Sequence, residues 1–184
     1  HIRRRIDKLS AELKELEERR GYARDRRKKD SVQVGAIVGY TNAGKSTLLN
    51  LLTGADVLAE DKLFATLDPT SRAIELPDGR SLLLVDTVGL IRRLPHHLVE
   101  AFKSTLESAL NCDLALIVCD ATGEYDMQLK TTLDTLREMD FASPYLVVMN
   151  KSEGMDTSAF PYGSVAISAK ENLGIDALKR EILK

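Results

Sequence analysis

Long apolar segments are missing from this sequence of 184 residues. Its longest apolar runs have the length of a β-strand, whereas a membrane-spanning helix needs about 20 consecutive apolar residues. The sequence also gives no sign of a signal peptide, because no apolar segment follows the basic N-terminal stretch. We therefore expect a cytoplasmic protein with no transmembrane segment.

Cysteine is scarce as well, since only Cys112 and Cys119 occur, within or beside an apolar run. Their spacing does not fit a metal site, so we expect reduced thiols in or near the core of a cytosolic protein. The remaining composition, with 43% hydrophobic and 29% charged residues, is typical of a soluble globular protein. The length suits one domain with an appendage.

Charge is distributed unevenly along the chain. Residues 1–30 contain 12 basic and 7 acidic residues, whereas the remainder contains 14 and 21. Apolar residues in the first half of this segment recur at coiled-coil spacing, and a basic run follows them. We therefore divide the chain into a basic amphipathic linker helix at 1–30 and a globular domain at 31–184. The helix either packs on a partner helix upstream in a longer protein or contacts RNA phosphates, and these two interpretations are compatible.

The best-defined motif is Gly-x-x-x-x-Gly-Lys-Ser, from Gly39 to Ser46. It lies between an apolar strand pattern and a leucine-rich helix pattern, the context that distinguishes a phosphate-binding loop from a chance match. The glycines let backbone N–H groups point at phosphate oxygens, to which the helix N-terminus adds partial positive charge. Lys45 would reach the β- and γ-phosphates as the catalytic cation, and Ser46 would ligate Mg²⁺. The predicted nucleotide contacts here are Gly39, Tyr40, Thr41, Asn42, Ala43, Gly44, Lys45, Ser46 and Thr47.

Two later segments are predicted to complete the Mg²⁺ and γ-phosphate site. Thr66, in a stretch without clear periodicity, is our candidate for a second Mg²⁺ ligand, and Thr70 is the alternative. Asp86 ends an apolar strand that follows a hairpin, where a buried carboxylate would bind the metal through water. The Gly89 N–H would bond the γ-phosphate. The contacts predicted here are Phe64, Ala65, Thr66, Leu67, Asp68, Asp86, Thr87, Val88 and Gly89.

Strand and helix patterns alternate along the globular domain. This alternation predicts an α/β fold with a mainly parallel six-stranded sheet and helices on both faces. The motif from Gly39 to Ser46 indicates that the fold is of the P-loop NTPase type. Ligands of such folds bind at the carboxyl ends of the strands, where all of these motifs fall. The predicted strands are 32–38, two in the hairpin around 76–80, 113–120, 145–149 and 165–167, and the predicted helices follow Lys45, cover 98–110 and 127–139, and follow Gly174. Only a turn is expected in the short interval between 150 and 168.

The motifs together resemble those of a known family. Their order is similar to that in translation-factor-type GTPases: the phosphate loop, Thr66, Asp86-x-x-Gly89, Asn150-Lys151 and Ser168-Ala169-Lys170. Three longer stretches resemble the HflX family more narrowly, namely Gly-Tyr-Thr-Asn-Ala-Gly-Lys-Ser-Thr, Leu-Phe-Ala-Thr-Leu-Asp-Pro-Thr and Asp-Thr-Val-Gly-x-Ile-Arg-x-Leu-Pro-His. The resemblance implies a G domain that binds GTP or GDP with Mg²⁺, after a linker helix that in HflX proteins follows a separate N-terminal domain. That domain is not part of this sequence.

The resemblance also assigns the guanine contacts. Asn150 would hydrogen-bond the base, Lys151 would pack along it, and the Ala169 N–H, flanked by Ser168 and Lys170, would bind the guanine oxygen. The family pattern Asn-Lys-x-Asp has glutamate, Glu153, in its last position here. Because glutamate is one methylene longer, we predict retained guanine preference with weaker binding or a shifted loop. An ATPase is the distant alternative.

Leu90 stands where signalling GTPases have a glutamine that orients the attacking water, and HflX proteins have a similar hydrophobic residue. We therefore predict slow intrinsic hydrolysis that a partner stimulates, with His96 and His97 as alternative water-positioning groups. The resemblance implies that this partner is the large ribosomal subunit or the whole ribosome, in ribosome splitting or rescue. The competing hypothesis is a nucleotide-gated RNA- or ribosome-binding module in which hydrolysis is incidental. We expect a monomer.

Overall fold

The computed structural model describes residues 33–54, 71–86 and 112–184. The described residues from Val34 to Lys184 belong to one compact unit. The predicted linker helix and its boundary at residue 30 lie outside the described residues, as does the predicted helix at 98–110, so these stay predictions. Within the described ranges, no helix is long and apolar enough to cross a membrane.

The described residues form a six-stranded sheet in the order β2-β3-β1-β4-β5-β6. Parallel pairing joins β1 to β4, β4 to β5 and β5 to β6, whereas β2 and β3 form the antiparallel hairpin. In the central strand β1 every residue after Gln33 is buried, as expected for a strand covered on both faces. The predicted mainly parallel α/β sheet is therefore confirmed. The strands are β1 Gln33–Gly39, β2 Ser71–Glu75, β3 Ser81–Asp86, β4 Leu114–Asp120, β5 Tyr145–Asn150 and β6 Val165–Ala166.

Helices cover both faces of this sheet, and the alternation of side chains along β1 shows how. Ile37 belongs to one apolar cluster with Leu48 and Leu178, whereas Val38 belongs to a second cluster with Leu136. Successive strand residues point to opposite faces, so the first and third helices lie on one face and the second on the other. The helices are α1 Lys45–Thr53, α2 Tyr125–Glu138 and α3 Ile175–Ile182, and a 3-10 turn at Thr157–Ala159 occupies the interval between β5 and β6.

The two cysteines are confirmed as free thiols of the core. Both side chains are buried in the cluster that α2 covers. Burial raises the pKa of Cys112 to about 11 and the pKa of Cys119 to about 12, so neither thiol ionises near neutral pH. These cysteines therefore serve packing rather than chemistry.

The carboxyl ends of three neighbouring strands meet at one edge of the sheet. Gly39 ends β1 opposite Val118, and Asp120 ends β4 opposite Asn150, the last residue of β5. Polar groups that follow buried strands are thereby brought together although they are far apart in sequence. The register between β1, β4 and β5 therefore brings the residues of the candidate site together.

Candidate nucleotide-binding site

The glycine-rich loop leaves β1 through a conformation that only glycine adopts easily. Gly39 has a φ of 151°, and a Cβ there would overlap the Val118 carbonyl oxygen. Gly44, at φ 89°, is the N-cap of α1, and a Cβ there would overlap the Asn150 amide. Both glycines of the motif are thus required by close approach of neighbouring groups as well as by backbone conformation. The loop opens directly into the N-terminus of α1, the end of a helix that attracts anions.

Lys45, the first residue of α1, is folded back onto the loop. Its side chain is only 7% exposed, and its Nζ donates to the Tyr40 carbonyl oxygen at 3.0 Å. Burial lowers the pKa of Lys45 to about 8, although the negative charge of Asp86 opposes this change. A buried ammonium is a strong anion-binding group, because a phosphate would restore the solvation that burial removed.

Two oxygen donors of the predicted Mg²⁺ site lie together beside the loop. The Ser46 hydroxyl donates to Asp86 Oδ2 at 2.8 Å, and Asp86 is 1% exposed at the end of β3. Hydroxyl and carboxylate oxygens are the ligands that Mg²⁺ prefers, and the metal commonly completes its shell with water and phosphate oxygens. The residues present therefore fit Mg²⁺. Thr66, the third predicted ligand, lies outside the described residues.

Asn150 links the phosphate loop to the segment that follows β6. This side chain is 2% exposed, and its Nδ2 donates to the Ala43 carbonyl oxygen at 2.9 Å. Its Oδ1 accepts from the Ala169 N–H at 3.0 Å. One buried amide thus connects residues 43, 150 and 169, which the sequence assigned separately to phosphate and guanine contacts. The structure gives Asn150 this bridging position in addition to its predicted contact with the base.

Lys151, at the end of β5, also reaches back to the phosphate loop. Its Nζ donates to the Asn42 carbonyl oxygen at 3.0 Å and to Asp120 Oδ2 at 2.7 Å. Sequence analysis missed Asp120, although the same signal that selected Asp86 was available, namely an acidic residue that ends a buried strand. Asp120 lies beside the candidate site and positions the ammonium of Lys151.

Glu153 occupies the position of the family's aspartate and is exposed. Its own backbone N–H and the Ser168 hydroxyl, the two largest influences, lower the pKa of its carboxyl group. Ser168 is buried and pairs with Leu173 through two backbone hydrogen bonds of 3.0 Å. The carboxylate of Glu153 therefore lies near the residues that are predicted to contact the guanine oxygen, and it is ionised at neutral pH.

The structure brings the described candidates to one edge of the sheet, although each individual ligand contact stays a prediction. The candidates at this edge are Gly39 to Thr47, Asp86, Asn150, Lys151, Glu153, Ser168, Ala169 and Lys170. The other candidates lie outside the described residues: Phe64, Ala65, Thr66, Leu67, Asp68, Thr87, Val88 and Gly89. Leu90 and the two histidines after it also lie outside.

Comparison with known proteins agrees with this arrangement. Residues 34–151 match the model of a family described as 50S ribosome-binding GTPases. GTPase HflX from Caldanaerobacter subterraneus subsp. tengcongensis is 50% identical to this chain, in a match that covers 100% of the chain and 45% of the relative. The chain thus spans less than half the length of that relative.

Solved structures share the fold of the chain. A GTP-binding protein from Sulfolobus solfataricus in complex with GDP has a TM-score of 0.66 at 27% identity, covering 96% of this chain and 60% of that protein. Era in complex with MgGDPNP and nucleotides 1506–1542 of 16S ribosomal RNA has a TM-score of 0.64 at 27% identity, covering 83% and 56%. Because the family model matches residues 34–151, the chain belongs to the 50S ribosome-binding GTPase family, and its GTPase domain is similar to that of the HflX proteins.

Proposed function

We propose that this chain binds GTP and Mg²⁺ at the carboxyl edge of its sheet and hydrolyses GTP to GDP and phosphate as a conformational switch. The observation that carries the proposal is the position of Asn150, hydrogen-bonded to Ala43 on one side and to Ala169 on the other. It connects the segment predicted to bind phosphate with the segment predicted to bind guanine. A nucleotide that contacts both segments would be held at its base and at its phosphates.

The chemical role of Lys45 follows from its burial. Its ammonium would leave the Tyr40 carbonyl oxygen for the β- and γ-phosphates, where it would stabilise the negative charge of the transition state. The Ser46 hydroxyl and the Asp86 carboxylate would hold Mg²⁺, Asp86 through water. When bound, this ion would neutralise charge on the β- and γ-phosphate oxygens. The backbone N–H groups at the start of α1 would orient the same phosphates.

We propose that hydrolysis is slow in the isolated chain because Leu90 cannot orient water by hydrogen bonding. A partner would then have to order the attacking water. The large ribosomal subunit is the partner we propose, because the matching family is described as 50S ribosome-binding GTPases. Ribosome splitting or rescue is the process that the resemblance to HflX suggests, and the molecule would act there in the cytoplasm as a monomer.

The test is the rate of phosphate release from GTP, measured with and without purified large ribosomal subunits. We expect slow turnover alone, a marked increase with subunits, and loss of both in Lys45→Met. Lys130→Met, an exposed lysine on α2, is the matched control and should behave as wild type. Turnover of tens per second without any partner would contradict the proposal. An unchanged rate with subunits would contradict the ribosomal part of it alone.

A second candidate function has support from the basic segment 1–30, with its 12 basic residues. In this version nucleotide binding gates RNA or ribosome binding, and hydrolysis is incidental. It is distinguished by salt dependence, because each phosphate contact adds to the slope of affinity against salt concentration. If Arg26→Glu with Arg27→Glu weakens RNA binding and reduces that slope without changing stimulated turnover, the second function is favoured. If stimulation is lost as well, the two functions are coupled.

A further inference from the structure

A charged pair connects the base side of the site to its phosphate side. Lys151 stands in left-handed backbone conformation, with a φ of 61°, directly after Asn150. Its ammonium is shared between the Asn42 carbonyl oxygen in the phosphate loop and the Asp120 carboxylate at the end of β4. These contacts join three segments that are separated in sequence. The position of the Lys151 stem, predicted to pack along the base, is therefore fixed at its far end.

Hydrogen bonds from other described residues hold both the carboxylate and the backbone of Asp120. Its Oδ1 accepts from the Thr122 backbone N–H at 2.9 Å and from the Thr122 hydroxyl at 2.6 Å. Its backbone N–H donates to Oε1 of Gln128, a buried residue of α2, at 2.9 Å. Because Thr122 occupies one carboxylate oxygen, the other is directed at Lys151. Two hydrogen bonds from Thr122 thus orient the carboxylate in addition to its contact with Lys151.

The electrostatics agree with this geometry. Burial alone would raise the pKa of Asp120, but the hydrogen bonds from Lys151 and Thr122 outweigh it, so the pKa is lowered. The Lys151 side chain is 34% exposed and that of Asp120 19% exposed. A salt bridge between exposed side chains contributes little free energy, whereas breaking a charge pair that is largely withdrawn from water costs more. The Lys151–Asp120 pair is partly exposed and should have an intermediate effect.

We propose that Asp120 is a positioning residue that fixes Lys151 between the guanine base and the phosphate loop, so that contacts at the two ends of the nucleotide support each other. The inference rests on the proposed guanine-nucleotide function and adds a residue to it. Within the described residues, Asp120 bonds through its side chain to Thr122 and Lys151 and not to Ser46 or Asp86, the proposed Mg²⁺ ligands. Its loss should therefore accelerate nucleotide dissociation and leave the chemical step at saturating GTP unchanged.

The chain offers a matched control at the opposite end of the same strand. Asp113 directly precedes β4, and its Oδ2 accepts from the Val34 backbone N–H at 2.7 Å. Asp113→Asn removes the same charge from a strand end, far from Lys151. Any general effect of net charge or of β4 stability on nucleotide binding should appear in both variants. Only a specific effect should be confined to Asp120→Asn.

The experiment measures release of a fluorescent GDP analogue from the full chain by stopped flow. We expect release roughly tenfold faster in Asp120→Asn than in wild type, between the negligible effect of an exposed pair and the larger one of a buried pair. Asp113→Asn should stay within twofold of wild type. Single-turnover hydrolysis at saturating GTP should be unchanged in Asp120→Asn.

A double-mutant cycle separates action through Lys151 from general loosening of the fold. If Asp120 acts through Lys151, the variant with both Asp120→Asn and Lys151→Met should release the analogue no faster than Lys151→Met alone. Independent, multiplying effects would overturn the inference, as would a change below twofold in Asp120→Asn. Thr122→Val removes one hydrogen bond to the carboxylate and tests the same inference with a smaller perturbation. We expect the analogue to be released about threefold faster than from wild type. Failure of the wild-type chain to bind the analogue would instead overturn the proposed function.

Discussion

Lys45 carries a positive charge that is buried in the structure, so replacing it should raise stability while it abolishes nucleotide binding. The difference between a pKa of 10.5 and one of about 8 corresponds to about 3 kcal/mol of unfavourable free energy at neutral pH. Lys45→Met removes this term while it keeps an unbranched side chain in the same space. It also removes the hydrogen bond to Tyr40, worth about 1 kcal/mol. We therefore expect the variant to be more stable than wild type by about 1–3 kcal/mol and unable to bind GDP.

The pH dependence gives this prediction a second readout. Below pH 8 both the folded and the unfolded wild type hold the proton, so the destabilisation is fully present. Between pH 8 and 10.5 the unfolded state binds more protons than the folded state, so the stability of wild type rises with pH. The advantage of Lys45→Met should therefore shrink across this window.

Urea denaturation without nucleotide, at pH 7 and at pH 9.5, measures both effects. Lys130→Met, at an exposed position of α2, is the control and should change the free energy of unfolding by less than about 0.5 kcal/mol. A Lys45→Met protein that is less stable than wild type at pH 7 would refute the reasoning. An advantage that does not depend on pH would show that the buried charge is not its cause.

Further predictions concern the same site. Affinity of wild type for GDP should be about tenfold lower at pH 9 than at pH 7, because Lys45 must regain its proton to bind phosphate, and calorimetry at the two pH values would detect this. Gly39→Ala should destabilise the fold by about 1–3 kcal/mol, measured by urea denaturation, because the new Cβ meets the Val118 carbonyl oxygen in a strained backbone conformation. Glu153→Asp should tighten GDP binding by roughly tenfold in calorimetric titration, because the shorter side chain restores the family's geometry; weaker binding would contradict this.

Local patterns were sufficient to predict most of the fold. The glycine-rich loop, the hairpin turn and the apolar strands depend on residues that are neighbours in sequence. The observed strands β1, β4, β5 and β6 begin and end within one residue of the predicted ranges 32–38, 113–120, 145–149 and 165–167. The second helix starts at Tyr125 rather than 127, two residues earlier than predicted. The Tyr125 ring packs edge-on against Phe160 at 5.7 Å, a tertiary contact that periodicity within the helix cannot predict.

The connections within the site could not be predicted in the same way. Asn150 reaches Ala43 across 107 residues, and Lys151 reaches Asn42 across 109. Such contacts depend on strand order and register, which juxtapose the ends of β1, β4 and β5. A sequence motif predicts which ligand its residues contact. Only the strand register shows which motifs are hydrogen-bonded to each other. The pKa of Lys45 is likewise set by burial, which depends on the assembled loop.

Calorimetric titration of the 184-residue chain with GDP and with ADP, in the presence of Mg²⁺, tests most directly whether this edge of the sheet is a guanine-nucleotide site. We expect GDP to bind and ADP not to bind. Equal affinity for the two nucleotides would contradict guanine recognition through Asn150, Lys151 and Glu153. Absence of binding by either nucleotide would contradict the proposed switch for this chain.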